Sequence, residues 1–230
     1  MSDDDSNLIP ATPSAEAYAA EKKAQEAFGG EADQGDVFGD ERDPMALFRA
    51  WLKLAGTHEI NDPNAMAVTS VDRDGCPDVR MVLLKDIDHG FSFYTNMESA
   101  KGVQLRENPA VALLFHWKSI RRQVRVRGVA EPLSDEEADA YFATRDRGSR
   151  IGAWASQQSR EMNDPEILAT RTADYEDLFA ERDVPRPDFW RGFKVIPNTI
   201  EFWVNRPFRL HDRKLFSRTG EGWSTAQLYP

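Results

Sequence analysis

The chain has 230 residues, of which 40% are hydrophobic, and its formal net charge is −10. A chain of this length and apolar content can form one domain with a packed core, and its negative charge argues against a nucleic acid as the partner of the whole chain. Cys76 is the only cysteine, which excludes an intrachain disulfide, and four histidines offer no metal-ligand cluster. Without a signal-peptide pattern or a run of about 18 apolar residues, the chain is expected to be cytoplasmic and not to span a membrane.

The N-terminal 42 residues are rich in Asp, Glu, Ala, Gly and Ser and have few apolar anchors. We expect residues 1–42 to form an acidic, largely disordered tail with one short helix at Ala15–Phe28. A single folded domain is expected at residues 43–230. It begins with a helix, because Asp43 suits an N-cap, Pro44 suits the first helical position, and apolar residues then recur at helical spacing.

Short segments rich in β-branched and aromatic residues, separated by turns, predict an antiparallel sheet in the rest of the chain. Strands are expected at Ala65–Val71, Asp78–Lys85, Phe91–Thr95, Val111–Trp117, Gln123–Glu131, Phe193–Ile196, Thr199–Val204, Leu210–Phe216 and Trp223–Gln227. Further helices are expected at Ser99–Glu107, from the Ser134 cap to about Thr144, at Gly152–Ser156 and at Asp164–Arg182. Roughly seven to nine short strands with interposed helices favour a small β-barrel with helices packed outside, in the α+β class.

Two arginines and a histidine lie close together near the C-terminus, after an apolar run rich in aromatic residues. If this segment is extended, Arg209, His211 and Arg213 lie on one face, because alternate residues of a strand share a face. Three potential cations on one face repel one another, and an anion opposite them would relieve the repulsion. Taken alone, the segment is explained equally well as an exposed, charged final hairpin.

A second basic segment strengthens the case for an anionic ligand. Arg80 and Lys85 bracket an apolar, core-like strand, and Lys101 follows with the hydroxyls of Thr95 and Ser99. A helix N-terminus with Ser and Lys nearby suits a phosphate group. Each cation taken singly is better explained as a solvated surface charge. Their position at the ends of a core-like strand makes that explanation weaker for Arg80 and Lys85.

Ten short motifs follow one another in a defined order from about residue 43 to the C-terminus. The motifs are Arg80-Met-Val-Leu-Leu-Lys85, Phe93-Tyr-Thr-Asn96, Ser99-Ala-Lys101, Arg122-Gln123-Val124, Tyr141-Phe142 with Arg145, Ser149-Arg-Ile-Gly-Ala-Trp154, Ser156-Gln-Gln-Ser159, Phe189-Trp-Arg-Gly-Phe193, Ile200-Glu-Phe-Trp203 and Arg209-Leu-His-Asp-Arg213. Any one motif is weak, but the ordered set closely resembles the pyridoxamine 5'-phosphate oxidase family. This resemblance implies an FMN-binding split β-barrel and a homodimer with FMN at the subunit interface.

The resemblance also implies a role for each matching residue. The FMN-binding residues would be Arg80, Met81, Val82, Leu83, Leu84, Lys85, Tyr94, Thr95, Ser99, Lys101, Gln123, Gln158, Ser159, Trp203 and Arg213, in part from the partner subunit. The substrate phosphate would be bound by Lys85, Tyr141, Arg145 and Ser149. Arg209 and His211 would lie over the pyridine ring as substrate-binding and catalytic residues, Arg209 stabilising charge near the reacting carbon and His211 orienting the substrate. No metal is implied.

The implied reaction is the oxidation of pyridoxamine 5'-phosphate or pyridoxine 5'-phosphate to pyridoxal 5'-phosphate, as part of vitamin B6 salvage or biosynthesis. A hydride passes from the C4' carbon to the flavin, dioxygen is reduced to hydrogen peroxide, and the amine substrate also releases ammonia. Two alternatives stay open: a related FMN oxidase acting on another substrate, such as a phenazine precursor, and a flavin- or pyridoxal-phosphate-binding protein without turnover. The substrate-phosphate set favours a phosphorylated substrate, and the pair Arg209 and His211 favours turnover.

Three features depart from the family pattern. Ala100 stands where family members often have Arg, so a phosphate contact worth about 1.5–3 kcal/mol is missing unless Arg121 or Arg122 replaces it. The chain ends Gln227-Leu-Tyr-Pro230, where the usual ending carries an Arg. An Arg-Arg-x-Tyr segment that can fold over the substrate is not evident in residues 1–42.

Overall fold

The computed structural model describes residues 37–220 and 222–230, together with positions 14, 16, 17, 19, 20 and 23. The predicted helix Ala15–Phe28 lies mostly outside the described residues, although positions 16, 17, 19, 20 and 23 are helical. Phe38 is only 5% exposed and stacks on Trp51, with ring centroids 6.0 Å apart. The hydrophobic core therefore includes a residue that precedes the predicted boundary between tail and domain.

Four of the five helices in the ranges 37–220 and 222–230 begin at a polar N-cap residue, whereas the last begins after Pro165 without a side-chain cap. The helices are α1 (Pro44–His58), α2 (Ala100–Glu107), α3 (Asp135–Thr144), α4 (Arg147–Ala155) and α5 (Glu166–Leu178). The Asp43 carboxylate accepts a hydrogen bond from the Met45 amide at 2.9 Å, which confirms the predicted start of α1. Ser134 and Glu137 form the predicted capping box at the start of α3.

One sheet carries all nine strands of the described residues, and every pairing in it is antiparallel. The strands are β1 (Ala65–Val71), β2 (Pro77–Leu83), β3 (Asp86–Ile87), β4 (Phe91–Asn96), β5 (Ala110–Trp117), β6 (Arg122–Pro132), β7 (Trp190–Val204), β8 (Asp212–Arg218) and β9 (Trp223–Gln227). Their order is β2-β1-β5-β6-β7-β4-β3, with β8 paired to β7 and β9 paired to β8. The fold is therefore α+β, as the sequence predicts.

The long strand β7 determines where the sheet divides. β6 pairs along one edge of β7, whereas β4 pairs with its first half and β8 with its second half along the other edge. The sequence predicts two strands here, Phe193–Ile196 and Thr199–Val204, and that prediction is wrong, because one strand spans both. Pro197 lies where the register with β6 shifts between Arg127 and Gly128, and a bulge tolerates a residue without an N–H.

The segment before β8 is not extended, which corrects the predicted strand Leu210–Phe216. A short 3-10 helix spans Pro207–Arg209, Phe208 and Arg209 have φ angles of 57° and 62°, and β8 begins only at Asp212. The prediction that Arg209, His211 and Arg213 alternate along one strand face is therefore wrong. A proline and two left-handed residues turn the chain at this point.

The core lies between the inner face of the sheet and helix α1. Phe48 of α1 is fully buried and packs edge-on against Phe91 and Phe115 at centroid distances of 4.9 and 4.8 Å. Alternate residues of β6 are buried, so the other face of this strand is available for a site. Among the described residues, no helix has the length and apolar character needed to cross a membrane.

Candidate active site

A large cavity of about 1010 Å³ is lined by residues from β2, β4 and the ends of α2, α3 and α4. We call it the large cavity. The predicted site residues that line it are Arg80, Met81, Val82, Leu83, Lys85, Tyr94, Thr95, Lys101, Tyr141, Arg145, Ser149, Gln158 and Ser159. One cavity thus combines residues expected to bind the flavin phosphate with residues expected to bind the substrate phosphate.

Lys101, in the first turn of α2, provides one cationic end of the large cavity. Its buried ammonium group donates to Gln158 Oε1 at 2.9 Å and to Thr95 Oγ1 at 3.2 Å. Burial and the nearby charge of Arg80 lower the pKa of Lys101 to about 8. A buried cation held only by neutral groups is expensive, and a phosphate at this end would stabilise its charged form.

Arg80 lies on β2 at the same end of the large cavity and is fixed by groups of its own chain. Its Nη1 donates to Ser70 Oγ at 2.6 Å, and its Nη2 forms an ion pair with Asp78 Oδ2 at 2.5 Å. The Ser70 hydroxyl of β1 donates to Gln104 Oε1 of α2 at 2.6 Å, so β1 and α2 jointly hold the Arg80 side chain in place. The guanidinium is therefore ordered before any ligand binds.

The other cationic end of the large cavity is formed by Lys85, Tyr141 and Arg145. Lys85 Nζ lies 5.8 Å from the centroid of the Tyr141 ring, and the Arg145 guanidinium lies 4.9 Å from the centroid of the Trp190 ring. Arg145 Nη1 is buried without a hydrogen-bond partner among the described residues, and burial lowers the pKa of Arg145. A phosphate oxygen would satisfy this donor and offset its desolvation.

Ser149 lies in the first turn of α4 and is engaged by the N-cap of that helix. Asp146 Oδ1 accepts from the Ser149 amide at 2.9 Å, and Asp146 Oδ2 accepts from the Ser149 hydroxyl at 2.5 Å. Because a hydroxyl has one proton, a phosphate would compete with Asp146 for it. Asp146 also lines the large cavity, and its N-cap position could have been found from the sequence.

Three nearly parallel aromatic rings form a wall of the large cavity. Tyr94 and Tyr141 stack with centroids 4.2 Å apart at 8°, and Tyr94 and Trp190 lie 5.2 Å apart at 4°. Such a wall suits a flat ring system. Trp190 was not among the predicted site residues, although it lies in the Phe189-Trp-Arg-Gly-Phe193 motif.

A smaller cavity of about 230 Å³ contains a second group of predicted residues, Gln123, Trp203 and Arg213. We call it the small cavity. These residues are direct neighbours across β6, β7 and β8, so their side chains lie on the same face of the sheet. Among the described residues, none lines both cavities. The predicted site is therefore divided into two parts within one chain.

Glu201 holds the small cavity together and was not predicted. Its carboxylate is buried and accepts from Arg213 Nε at 2.8 Å and from Arg125 Nη2. Arg213 Nη1 also donates to the carbonyl of Tyr229 at 2.8 Å, and Pro230 lines the cavity. The C-terminal residues Tyr229 and Pro230 are thus part of this site.

His211 and Arg209 lie near the small cavity, on the turn before β8. The His211 ring lies 4.5 Å from that of Trp203, and the Arg206 amide donates to His211 Nδ1 at 3.2 Å. Burial and the charges of Arg209 and Arg213 lower the pKa of His211. The imidazole is therefore neutral near pH 7, with its proton on Nε2.

Two predicted FMN-binding residues do not line either cavity. Leu84 is 4% exposed and packs in the core, while its backbone N–H and C=O pair with Asn64. Ser99 is fully buried as the N-cap of α2 and lies 3.4 Å from Lys101 Nζ. The sequence identifies the motif but does not show which of its side chains point into the cavity and which point into the core.

Neither Arg121 nor Arg122 replaces the missing arginine at position 100 in the large cavity. Ala100 lines the large cavity, whereas Arg121 and Arg122 line neither cavity. The Arg122 guanidinium lies 4.6 Å from the centroid of the Trp51 ring. The end of the large cavity at Lys101 and Arg80 therefore receives no further cation from positions 100, 121 and 122. Among the described residues, no group of three or more His, Cys, Asp and Glu side chains could hold a metal ion.

Comparison with known proteins agrees with this chemistry. Residues 56–179 match the family model described as pyridoxamine 5'-phosphate oxidase, and residues 190–230 match the C-terminal dimerisation region of pyridoxine 5'-phosphate oxidase. A pyridoxine/pyridoxamine 5'-phosphate oxidase of Caulobacter vibrioides is 53% identical over 227 residues, covering 98% of this chain and 99% of the relative. One of Maricaulis maris is 54% identical over 233 residues, covering 100% of both chains.

Two solved structures share the fold. PhzG from Burkholderia lata 383, in complex with tetrahydrophenazine-1-carboxylic acid, is 31% identical with a TM-score of 0.79, covering 85% of this chain and 96% of that chain. A pyridoxamine 5'-phosphate oxidase-related, FMN binding protein from Nostoc punctiforme has a TM-score of 0.66 at 15% identity, covering 83% and 100%. The split-barrel fold is confirmed, and the dimerisation region identifies the protein as a homodimer. With both family models matched and over half of its residues identical to those of full-length relatives, the chain belongs to the pyridoxamine 5'-phosphate oxidase family.

Proposed function

We propose that this protein uses FMN to oxidise pyridoxamine 5'-phosphate and pyridoxine 5'-phosphate to pyridoxal 5'-phosphate, with dioxygen as electron acceptor. The observation that carries the proposal is the large cavity, which has two cationic ends. Lys101 and Arg80 form one end, Lys85 and Arg145 form the other, and the aromatic wall contributes Tyr94 and Tyr141. A phosphorylated flavin and a phosphorylated pyridine need two such ends and flat surfaces for their rings.

We further propose that each complete site is shared between the two subunits of the homodimer. The large cavity has the phosphate-binding groups, whereas the small cavity and the turn beside it have Gln123, Trp203, Arg209, His211 and Arg213. A two-fold axis can place the large cavity of each chain beside the small cavity of the other, which gives two equivalent sites per dimer. The exposed apolar row of the β2 edge supports this proposal, because Val79 and Met81 are 61% and 64% exposed beside the large cavity.

FMN is the cofactor, and when bound it supplies the two-electron oxidation of the substrate carbon and the transfer of electrons to dioxygen. The chain binds and orients the reactants. We assign Lys101 and Arg80 to the flavin phosphate, and Lys85, Tyr141 and Arg145 to the substrate phosphate. Arg209 would stabilise negative charge at the substrate ring, and His211 would donate from Nε2 to orient the substrate.

A phenazine precursor is a less suitable substrate for this cavity. PhzG shares the fold at 31% identity, but the oxidases of Caulobacter vibrioides and Maricaulis maris are 53% and 54% identical to this chain. The cationic end with the unsatisfied Arg145 Nη1 favours a substrate that has a phosphate. The single cysteine, Cys76, is free and exposed, which is consistent with a reducing cytoplasm as the location of the enzyme.

The test is a visible spectrum of the protein reconstituted with FMN, recorded before and after anaerobic addition of pyridoxamine 5'-phosphate. Loss of the flavin band, with recovery when air is admitted, would support oxidation of this substrate with dioxygen as acceptor. Retention of the band with a bound flavin would contradict the proposed substrate. Pyridoxine 5'-phosphate is tested in the same way, and unphosphorylated pyridoxamine serves as the control for the phosphate requirement.

A further inference from the structure

A carboxylate lies where the large cavity is expected to receive a phosphate. Asp78, on the edge strand β2, lines this cavity together with Arg80 and Lys101. Its Oδ2 lies 2.5 Å from Arg80 Nη2, and its side chain is 49% exposed. A phosphate ester carries between one and two negative charges near neutral pH, so a carboxylate beside its binding site repels it.

The other contacts of Arg80 show what the carboxylate occupies. Nη1 donates to the Val68 carbonyl at 3.2 Å and to Ser70 Oγ at 2.6 Å, and Nη2 donates to Asp78 and to Gln104 Oε1 at 3.2 Å. These four contacts account for all four protons on the two terminal nitrogens. Only the Nε proton is left for a ligand.

Asp78 is the Arg80 partner that a ligand can replace. Val68, Ser70 and Gln104 do not line the cavity, and Ser70 is fully buried. Asp78 lines the cavity, is half exposed and offers the charged contact. An incoming anion can therefore gain a two-point contact with Arg80 only by displacing the Asp78 carboxylate from Nη2.

The field of Asp78 also extends to the second cation at this end. Burial and Arg80 lower the pKa of Lys101 to about 8, and Asp78 opposes them by raising it. The carboxylate thus partly neutralises both Arg80 and Lys101. Their combined attraction for a phosphate is lower than two cations and the hydroxyl of Thr95 would otherwise provide.

We propose that Asp78 competes with the flavin phosphate for Arg80 and thereby sets the affinity of the protein for FMN. The inference rests on the proposed function, because it assigns the flavin phosphate to this end of the large cavity. Asp78 stabilises Arg80 while the site is empty and leaves Nη2 when FMN binds. Removal of its charge strengthens binding of the phosphorylated cofactor and has no effect on a flavin that lacks the phosphate.

The test is the dissociation constant of FMN from the full-length apoprotein, measured by quenching of flavin fluorescence. Asp78→Asn keeps the shape of the side chain and removes its charge, and we expect it to tighten FMN binding about threefold to tenfold. Riboflavin, which lacks the phosphate, should bind the variant and the wild-type protein equally. Asp74→Asn is the matched control, because it makes the same change of charge in the exposed turn before β2 and should not alter FMN binding.

Unchanged or weaker FMN binding by Asp78→Asn would overturn the inference, since Asp78 would then be neutral toward Arg80 or would orient it for the phosphate. Equal tightening of riboflavin would overturn it as well, because the effect would not act through the phosphate. Either result leaves the proposed function standing if the wild-type protein binds FMN and oxidises the substrate. Failure of the wild-type protein to bind FMN would reject both proposals.

Discussion

The imidazole of His211 packs against the indole of Trp203, with ring centroids 4.5 Å apart and an interplanar angle of 42°. The 3-10 helix Pro207–Arg209 makes this contact possible, because it turns the chain back before β8 begins. The Arg206 amide donates to Nδ1 at 3.2 Å, so the proton of the neutral ring is on Nε2. The ring is thus oriented from two sides, and Nε2, which has no hydrogen-bond partner among the described residues, can donate to a ligand.

The first prediction concerns the pH dependence of this donor. Burial and the charges of Arg209 and Arg213 lower the pKa of His211 from its ordinary value of 6.5, so protonation and loss of the oriented neutral form occur only below that pH. We expect kcat/KM for pyridoxamine 5'-phosphate to fall on the acidic side, with an inflection below 6.5. His211→Asn should lower kcat about tenfold or more. The same variant should also lack the inflection. An inflection that persists in His211→Asn would come from titration of the substrate phosphate instead.

The second prediction separates catalysis from flavin binding. Arg209 is exposed on the turn, so Arg209→Ala should leave the fold and the FMN content unchanged while kcat falls about 100-fold or more. Arg73→Ala, in an exposed turn, is the control and should retain full activity. Flavin content is measured by absorbance and turnover by peroxide release. Loss of flavin from Arg209→Ala, with the full rate restored by added FMN, would mean that Arg209 binds the cofactor instead.

The third prediction follows from the depressed pKa of Lys101, which burial and Arg80 lower to about 8. On the proposed assignment of Lys101 to the flavin phosphate, FMN binds the charged form of this lysine. The dissociation constant of FMN should therefore rise as the pH increases through about 8, where the empty protein loses this charge. The flavin phosphate is already fully ionised there and does not contribute. Lys101→Arg keeps its charge over this range and should give a flat profile, whereas Lys101→Ala should bind FMN weakly throughout. A wild-type profile that Lys101→Arg does not flatten would refute this account.

The fourth prediction concerns the cationic end assigned to the substrate. Tyr141→Phe keeps the ring stacked on Tyr94 but removes the hydroxyl, so KM for pyridoxamine 5'-phosphate should rise about fivefold, the equivalent of one hydrogen bond of about 1 kcal/mol. The affinity for FMN should not change. Tyr175→Phe removes a hydroxyl from a ring that packs on Trp154 outside both cavities, and it is the control. An unchanged KM would show that the Tyr141 hydroxyl does not contact the substrate.

Local signals in the sequence predict much of this fold. The strands Ala65–Val71 and Trp223–Gln227 agree with the structure at both ends, and the cap residues Asp43 and Ser134 begin their helices as expected. These features depend on neighbours in the chain, through period-two alternation and capping hydrogen bonds. The pattern fails at Pro197, where the partner strand β6 accommodates a bulge that no local signal shows.

The candidate site can be predicted only in part from the sequence, for the same reason. Motifs identify Arg80, Lys101 and Arg145, but the burial of Leu84 and the clamp formed by Glu201 depend on packing between distant strands. The sequence also gives no sign that Asp78 engages Arg80, because an exposed carboxylate near a turn is an ordinary surface feature. The division of the predicted residues between two cavities likewise becomes visible only in three dimensions.

The central claim is that the large cavity of one subunit and the small cavity of its partner make one active site, and mixed dimers test it most directly. Arg145→Ala removes a cation of the large cavity, and Arg209→Ala removes the proposed catalytic arginine from the turn before β8, so each homodimer should have low activity at low substrate concentration. Heterodimers of the two variants, isolated through two different affinity tags, should contain one intact site and recover about half of the wild-type activity. Heterodimers as inactive as the parent variants would contradict the shared site, because each site would then be built within a single chain.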